Sequence, residues 1–134
     1  MNYTIDTNII TALMKNDEGV KRKLQEMVFY GKEVFINGIS YYEIKRGLLA
    51  ANATTQLNIF DKICKKLGIL LLDNRGIFDI ASEIYADLKQ RGELITDADI
   101  LIAAIALTQN LILVSDNTKH FQRIRDITLE NWLS

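Results

Sequence analysis

Six acidic side chains, Asp6, Glu43, Asp73, Asp97, Asp99 and Asp116, hold positions from which chemistry can be built. Each falls at or just beyond the carboxyl end of an expected strand, or in the first turn of an expected helix. In a parallel sheet those strand ends line up along one edge, the place where open α/β sheets bind their ligands. Carboxylates gathered there repel one another and raise one another's pKa. A divalent cation relieves that repulsion. Oxygen donors with no cysteine or paired histidine beside them suit Mg²⁺ or Mn²⁺ rather than zinc. Asp6 is the natural centre of such a group, because Asp6-Thr7-Asn8 sets a carboxylate, a hydroxyl and an amide directly after the apolar run Tyr3 to Ile5.

Each acid also has a purely structural reading. Ser40-Tyr41-Tyr42-Glu43 is a capping-box pattern, in which Glu43 reaches back to the Ser40 backbone. Thr96 and Asp99 have the same spacing, and Asp73 and Asp116 can cap the segments after them. Negative charge in a first helical turn is favourable by about 0.3–1 kcal/mol on its own. Their conjunction weighs on the other side. Ile100 to Leu107 is apolar all round and therefore a buried helix, so a carboxylate at its mouth is not free to swing into water. Ala103 and Ala106, small side chains, let that helix approach the sheet closely. Asp99 is expected to point inward and Asp97 outward.

The elements that must position these groups follow from periodicity and turn residues. Strands are expected at Tyr3 to Ile5, Glu33 to Asn37, Ile69 to Asp73, Leu111 to Ser115 and, at an edge, Ile127 to Leu129. The third is apolar throughout, which predicts burial on both faces. A first helix carries Ile9, Ile10, Leu13 and Met14. A second runs over 20–30 with Leu24, Met27 and Val28 inside and Gly31 ending it. A third opens at Ser40, and a fourth spans 54–67 and stops at Gly68. A fifth spans 77–90 with Ile77, Ile80, Ala81, Ile84, Tyr85 and Leu88 inward, and a sixth spans 97–109. Residues 116–121 read as a polar loop or short helix, with Trp132 packing the end. Short buried strands alternating with helices imply right-handed crossovers. The expected fold class is α/β, a three-layer α/β/α sandwich around a mainly parallel sheet of four to five strands. Residues 1–134 are expected to form one domain, with nothing ahead of the first strand.

Composition narrows the functional classes. The 134 residues carry 16 Lys+Arg against 17 Asp+Glu, a formal net charge of −1, so nucleic-acid contact requires a local basic patch. The lone Cys64 rules out an intrachain disulfide and a cysteine zinc cluster, and fits a reducing cytoplasm. No signal pattern and no apolar run near the ~20 residues of a membrane span is present, so the expected location is cytoplasmic. Proline is absent, so breaks must come from Gly, Asn and Asp. No glycine-rich nucleotide fingerprint comes after any strand.

At this point the motifs together resemble a known family. Asp6-Thr7-Asn8 after the first strand, Glu43 in Ser40-Tyr41-Tyr42-Glu43-Ile44, Asp97-Ala98-Asp99-Ile100 through Ala104, and Leu113-Val114-Ser115-Asp116-Asn117 through Phe121 occur in order over essentially the full length. The chain resembles the PIN-domain family, and more narrowly the VapC-type toxins of toxin–antitoxin pairs. The resemblance implies a metal-dependent endoribonuclease silenced by a cognate antitoxin. It implies metal-site acids at Asp6, Glu43 and Asp99, with Asp116 or Asn117 in a fourth position. Thr7, Asn8 and Ser115 match polar residues that hold the acids or a water, while Asp73 and Asp97 match no metal position. Mg²⁺ or Mn²⁺ at these acids would acidify a water and neutralise the scissile phosphate, with Glu43 accepting a proton.

RNA needs cations beside this negative site. Lys45 and Arg46 come just after Glu43; Lys119, His120, Arg123 and Arg125 come after Asp116. Solvated helix faces are the alternative reading of both groups. His120, the only histidine, has no nucleophile or second histidine beside it in sequence, so a phosphate contact fits it better than catalysis. Tyr41 and Tyr42 offer stacking faces, with Tyr41 better placed for the core. The apolar content of the third and fourth helices, including Leu48 and Leu49, exceeds what one small domain needs. The resemblance assigns the surplus to a homodimer surface and an antitoxin groove, into which an antitoxin Arg reaches toward the acids. One rival is a haloacid-dehalogenase-like phosphatase with Asp6 as nucleophile. It requires a second Asp where Asn8 stands, and a cap for which there is little room. The other is a non-catalytic domain of the same fold for dimerisation or protein binding, which the retained acids argue against.

Overall fold

The computed structural model describes residues 1–133. Its elements in chain order are β1 (Tyr3–Ile5), α1 (Thr7–Met14), α2 (Glu18–Phe29), β2 (Val34–Asn37), α3 (Gly38–Ala50), α4 (Thr54–Leu67), β3 (Ile69–Leu70), α5 (Arg75–Arg91), α6 (Asp97–Thr108), β4 (Ile112–Val114), α7 (Thr118–Phe121) and β5 (Thr128–Glu130). Among the described residues five strands form one sheet in the order β3-β2-β1-β4-β5, every pairing parallel. This is the expected α/β class with a central parallel sheet.

The side chains of the sheet divide by alternation. Tyr3, Ile5, Val34, Ile36 and Val114 join a core with α1, α2, α4 and Ile44 of α3, closed by Trp132 against Tyr3 at 5.6 Å between ring centroids. Phe35, Leu113, Leu70 and Leu129 face a second core built on α5, α6 and α7, with Leu88, Ile102, Ile105 and Phe121 at its centre. Helices therefore cover both faces. Without proline, the chain turns at left-handed residues: Asn16, Gly31, Asn52, Gly68, Gly92, Asn110 and Asp126 all have positive φ. At Gly68, where φ is 78°, a side chain would be strained, and the turn ends α4 directly into β3.

The structure departs from expectation at four places. β3 is two residues long and only half-buried, and Leu71 beyond it is 61% exposed. The cause is its edge position: only β2 flanks it, so continuous apolarity does not imply burial on both faces. Val28 and Tyr85 face outward, each lying one position off the stripe that its helix buries (Val20, Leu24, Met27 and Ile77, Ala81, Ile84, Leu88). α3 begins at Gly38, with Asn37 as its cap, so Ser40 lies inside the first turn rather than opening the helix. Asp73 caps nothing; Asn74 accepts from the Ile77 N–H at the start of α5.

The candidate metal and active site

The strand order reverses at β1: the chain moves one way through β2 and β3, then returns to the other side of β1 with β4. Crevices outside the carboxyl ends of strands at such a reversal are the ligand sites of open α/β sheets. Asp6 leaves β1 there and Ser115 leaves β4. The Ser115 hydroxyl donates to Asp6 Oδ2 at 2.8 Å, spanning the crevice between two buried strand ends. Asp6 Oδ1 accepts from the Thr7 N–H at 2.7 Å, so Asp6 also caps α1. With both oxygens held and the residue 5% exposed, Asp6 has one orientation.

Two further acids approach it. Glu43 projects from α3 and is steered by the Thr7 hydroxyl, which donates to Glu43 Oε1 at 2.9 Å and lies 3.0 Å from the Ser40 hydroxyl. The capping-box reading of Ser40 and Glu43 does not hold, because Asn37 Oδ1 already takes the Ser40 N–H at 2.8 Å. Glu43 is thereby left to face the site. Asn37, buried and passed over in the sequence, also donates from Nδ2 to the Ile5 carbonyl at 3.4 Å. The one signal for it was an amide ending a strand just before a helix. Asp99 sits in the first turn of α6, capped by Thr96, whose hydroxyl accepts the Asp99 N–H at 3.2 Å. Its side chain is 18% exposed, whereas Asp97 is open to solvent.

Burial, followed by the Asp99 and Glu43 charges, raises the Asp6 pKa, although Ser115 and Thr7 hold it down in part. Burial also raises Asp99, with Glu43 adding to the effect and Thr96 and His120 opposing it. These three acids therefore feel one another. Among the described residues no Lys or Arg ion-pairs with any of them; only His120 Nδ1 comes near, 3.7 Å from Asp99 Oδ2. Nor is any group of three His, Cys, Asp or Glu side chains among these residues already drawn together as a ligand shell. The donor set nonetheless fits a hard divalent cation: oxygen ligands, mutually repelling, half or wholly buried, and left without a protein cation of fixed charge.

Asp116 and Asn117 take different parts. Asp116 is exposed, and its Oδ1 accepts from Asn8 Nδ2, which ties α1 to the loop after β4. Asn8 Oδ1 is buried without a hydrogen-bond partner. Asn117 turns inward: its N–H donates to the Ser115 hydroxyl at 3.0 Å, and its Nδ2 donates to Asp99 Oδ2 at 3.4 Å and lies 3.1 Å from His120 Nδ1. Of the two residues expected for a fourth position, Asn117 reaches Asp99 and Asp116 faces Asn8.

The cations separate as well. Lys45 turns to the Tyr41 hydroxyl at 3.2 Å, in a groove with Phe60 and Cys64. Arg46 stacks over Tyr42, 5.0 Å from its centroid. Tyr41 packs on Phe60, as its core assignment required. Arg125 pairs with Asp87 at 3.6 Å. Lys119 and Arg123 line a cleft with Arg91, a residue that sequence reading took only as part of the turn after the fifth helix.

A family model described as the PIN domain matches residues 3–127. Ribonuclease VapC1 of Methanocaldococcus jannaschii is 35% identical over 94% of this chain and 83% of its own length. Ribonuclease VapC2 of Rickettsia felis is 31% identical over 98% of each. Among solved structures, VapBC2 from Rickettsia felis bound to a promoter DNA fragment superposes with a TM-score of 0.92 at 27% identity, over 98% of this chain and 99% of that one. VapBC-1 from nontypeable Haemophilus influenzae gives 0.89 at 28%, over the whole of both. With a family model matching residues 3–127 and ribonuclease VapC relatives at 31–35% identity over nearly the whole chain, the chain belongs to the PIN-domain family, among its VapC-type members.

Proposed function

We propose that this chain is a Mg²⁺- or Mn²⁺-dependent endoribonuclease and the toxin of a toxin–antitoxin pair, with residues 1–134 forming one nuclease domain in the cytoplasm. The observation that carries the reading is the set of three acids, Asp6, Glu43 and Asp99, that oppose one another's charge at the β1/β4 crevice without a Lys or Arg partner. The ribonuclease names of relatives at 31–35% identity support it.

Asp6, Glu43 and Asp99 would hold the ion, with the Asn117 amide beside Asp99. A bound divalent cation supplies the charge that neutralises the scissile phosphate and acidifies the attacking water. The chain's own groups do the rest. Ser115 and the Thr7 N–H orient Asp6 and oppose the rise in its pKa that burial causes. The Thr7 hydroxyl fixes Glu43, whose second oxygen, Oε2, is left to accept the proton of the water. Asn117 and His120 brace Asp99 from the solvent side. The Asp116–Asn8 contact holds the start of α1 to the loop after β4 at the crevice.

A groove of about 440 Å³ runs from Thr7 and Glu43 between α1, α3 and α4, past Met14, Leu48 and Ile59. Its apolar walls and acidic end suit a segment of a cognate antitoxin that brings an Arg to the acids; the VapBC complexes among the structural relatives support such a partner. Leu49, more than half exposed on α3, belongs to the surface assigned to a homodimer. Among the described residues no helix is long and apolar enough to cross a membrane.

The test is cleavage of a mixed RNA pool, sequenced at its new ends, with Mg²⁺ and with chelator. We expect metal-dependent cuts that vanish in Asp99→Asn. Equal cleavage by parent and variant, or cleavage indifferent to chelator, overturns the proposal.

A further inference from the structure

The helix that carries His120 to Asp99 also carries Lys119 to a cleft of mainly positive charge. Arg91, Gly92, Glu93, Lys119, Gln122 and Arg123 line a cleft of about 480 Å³, three of its lining side chains cationic and one anionic. Its walls are fixed by hydrogen bonds across the sequence. Gly92, left-handed at φ 69°, ends α5 and turns the chain toward α6. Arg91 donates to Asp87 Oδ2 at 2.8 Å, to Glu93 Oε2 at 3.3 Å and to the Arg123 carbonyl at 2.5 Å, so two carboxylates offset its charge while it braces the Arg123 backbone. Arg123 in turn donates from Nη1 to the Glu93 and Leu94 carbonyls at 3.3 and 3.4 Å. Carbonyls orient a guanidinium without neutralising it. Among the described residues neither Arg123 nor Lys119 ion-pairs with an acid.

The cleft and the acid crevice share α7. Its His120 stands 3.7 Å from Asp99 Oδ2, and Lys119, one residue earlier, faces the cleft. A polyanion brought to the acids without a bound cation is repelled by them, and the chain as a whole, at −1, offers no compensating field. Lys45 turns to the Tyr41 hydroxyl and Arg46 stacks over Tyr42. Among the described residues, the cations left on the Asp99 side without an acid or aromatic partner are Lys119 on α7 and Arg123 just after it.

We propose that Lys119 and Arg123, in the cleft braced by Arg91, seat a backbone phosphate of the single-stranded RNA whose scissile phosphate lies at the acids. The inference rests on the nuclease reading and adds where the strand runs: off the acids, over α7 and into the gap between α7 and the α5–α6 turn. Lys119 supplies a mobile point charge, Gln122 a neutral donor, and Arg123 a guanidinium held in place by the Glu93 and Leu94 carbonyls and by Arg91 on its own backbone. Its lining is charged and polar with no aromatic side chain to stack a base, so its contribution is affinity and strand direction rather than sequence choice.

Binding of a fluorescent single-stranded RNA to the non-cleaving Asp99→Asn protein tests this across a salt series. Replacing Lys119 with Ala should weaken binding at low salt and flatten the slope of log K against log salt by about 0.7, one phosphate contact on a single strand. Lys119→Glu with Gln122→Glu should weaken it about tenfold or more, by placing like charge at the phosphate. Both positions are exposed and serve no core contact. Calorimetry of Mn²⁺ binding to Lys119→Ala with Asp99 intact should match the parent, separating strand seating from the ion site. If the Asp99→Asn parent binds RNA and these variants bind it with the same affinity and slope, the cleft proposal fails and the nuclease reading stands. If the parent binds no RNA at any salt, both fail.

Discussion

Asp6 and Asp99 are strained in their charged forms, and that strain is measurable. Burial first, then neighbouring carboxylates, lifts both above the ordinary value of 3.8. Between 3.8 and the raised native value the folded chain binds more protons than the unfolded one, so stability falls as pH rises. The stability is complete below 3.8 and lost as pH climbs through the native pKa values. Melting curves in chelator should therefore show Asp99→Asn gaining on the parent as pH rises toward neutral, though its cleavage is abolished. A variant that melts below the parent at neutral pH contradicts the account. Mn²⁺ should raise the parent's Tm and leave Asp99→Asn little changed, since an ion that binds only the folded state stabilises it by mass action. Ser115 is a second residue with a legible role: its hydroxyl donates to Asp6 and accepts from the Asn117 N–H. Ser115→Ala strands both groups, which should cost about 1–3 kcal/mol in urea melts. It should also move the acidic limb of the pH–rate profile upward, because Asp6 loses the bond that holds its pKa down.

At the scale of elements, α3 shows how a helix start can be functional. Asn37 ends β2 and caps α3, so the strand and the helix carrying Glu43 are joined by one side chain. Asn37→Ala should cost about 1 kcal/mol as a lost cap, with RNA cleavage falling more than stability because the Glu43 backbone is released. Equal loss in Asn37→Ala and in an exposed α4 control such as Gln56→Ala would remove that role. α6 makes the complementary case. Ile102, Ala103, Ala104, Ile105 and Ala106 are wholly buried, so there is no stripe to read, and the small residues set how close the helix lies to its neighbours. Ala103→Leu should destabilise by about 1–3 kcal/mol through overpacking, read as a lower urea midpoint.

Across the whole molecule, the sheet separates two cores, and the active crevice sits where both reach its edge. Phe60 centres one core and Phe121 the other. Phe60→Leu and Phe121→Leu should each cost roughly 1–1.5 kcal/mol and add within about 0.5 kcal/mol in the double variant. A larger coupling would mean the sheet transmits strain between its faces. Activity should respond unequally: Phe121 is the residue after His120 at the base of α7, so its variant should slow cleavage while Phe60→Leu changes stability alone.

The amino-acid sequence determined the class of this protein. Period-2 and period-3.6 apolar patterns, with Gly and Asn at the breaks, located every helix and strand to within a few residues and implied a parallel sheet covered on both faces. It also placed the acids at strand ends and helix starts, since those positions depend only on local order along the chain. Tertiary structure decided which of them meet. Whether Asp116 or Asn117 reaches Asp99 depends on one residue of rotation in the loop after β4. Whether Glu43 caps its own helix or faces Asp6 depends on Asn37 having taken the cap first. That Lys45 turns to Tyr41 while Arg91 meets Lys119 and Arg123 in one cleft comes from tertiary packing of helices far apart in the chain. Local sequence fixes periodicity because neighbours in the chain share one element. Contacts spanning 36 or 109 residues are fixed only by register, crossover and competition for hydrogen-bond partners.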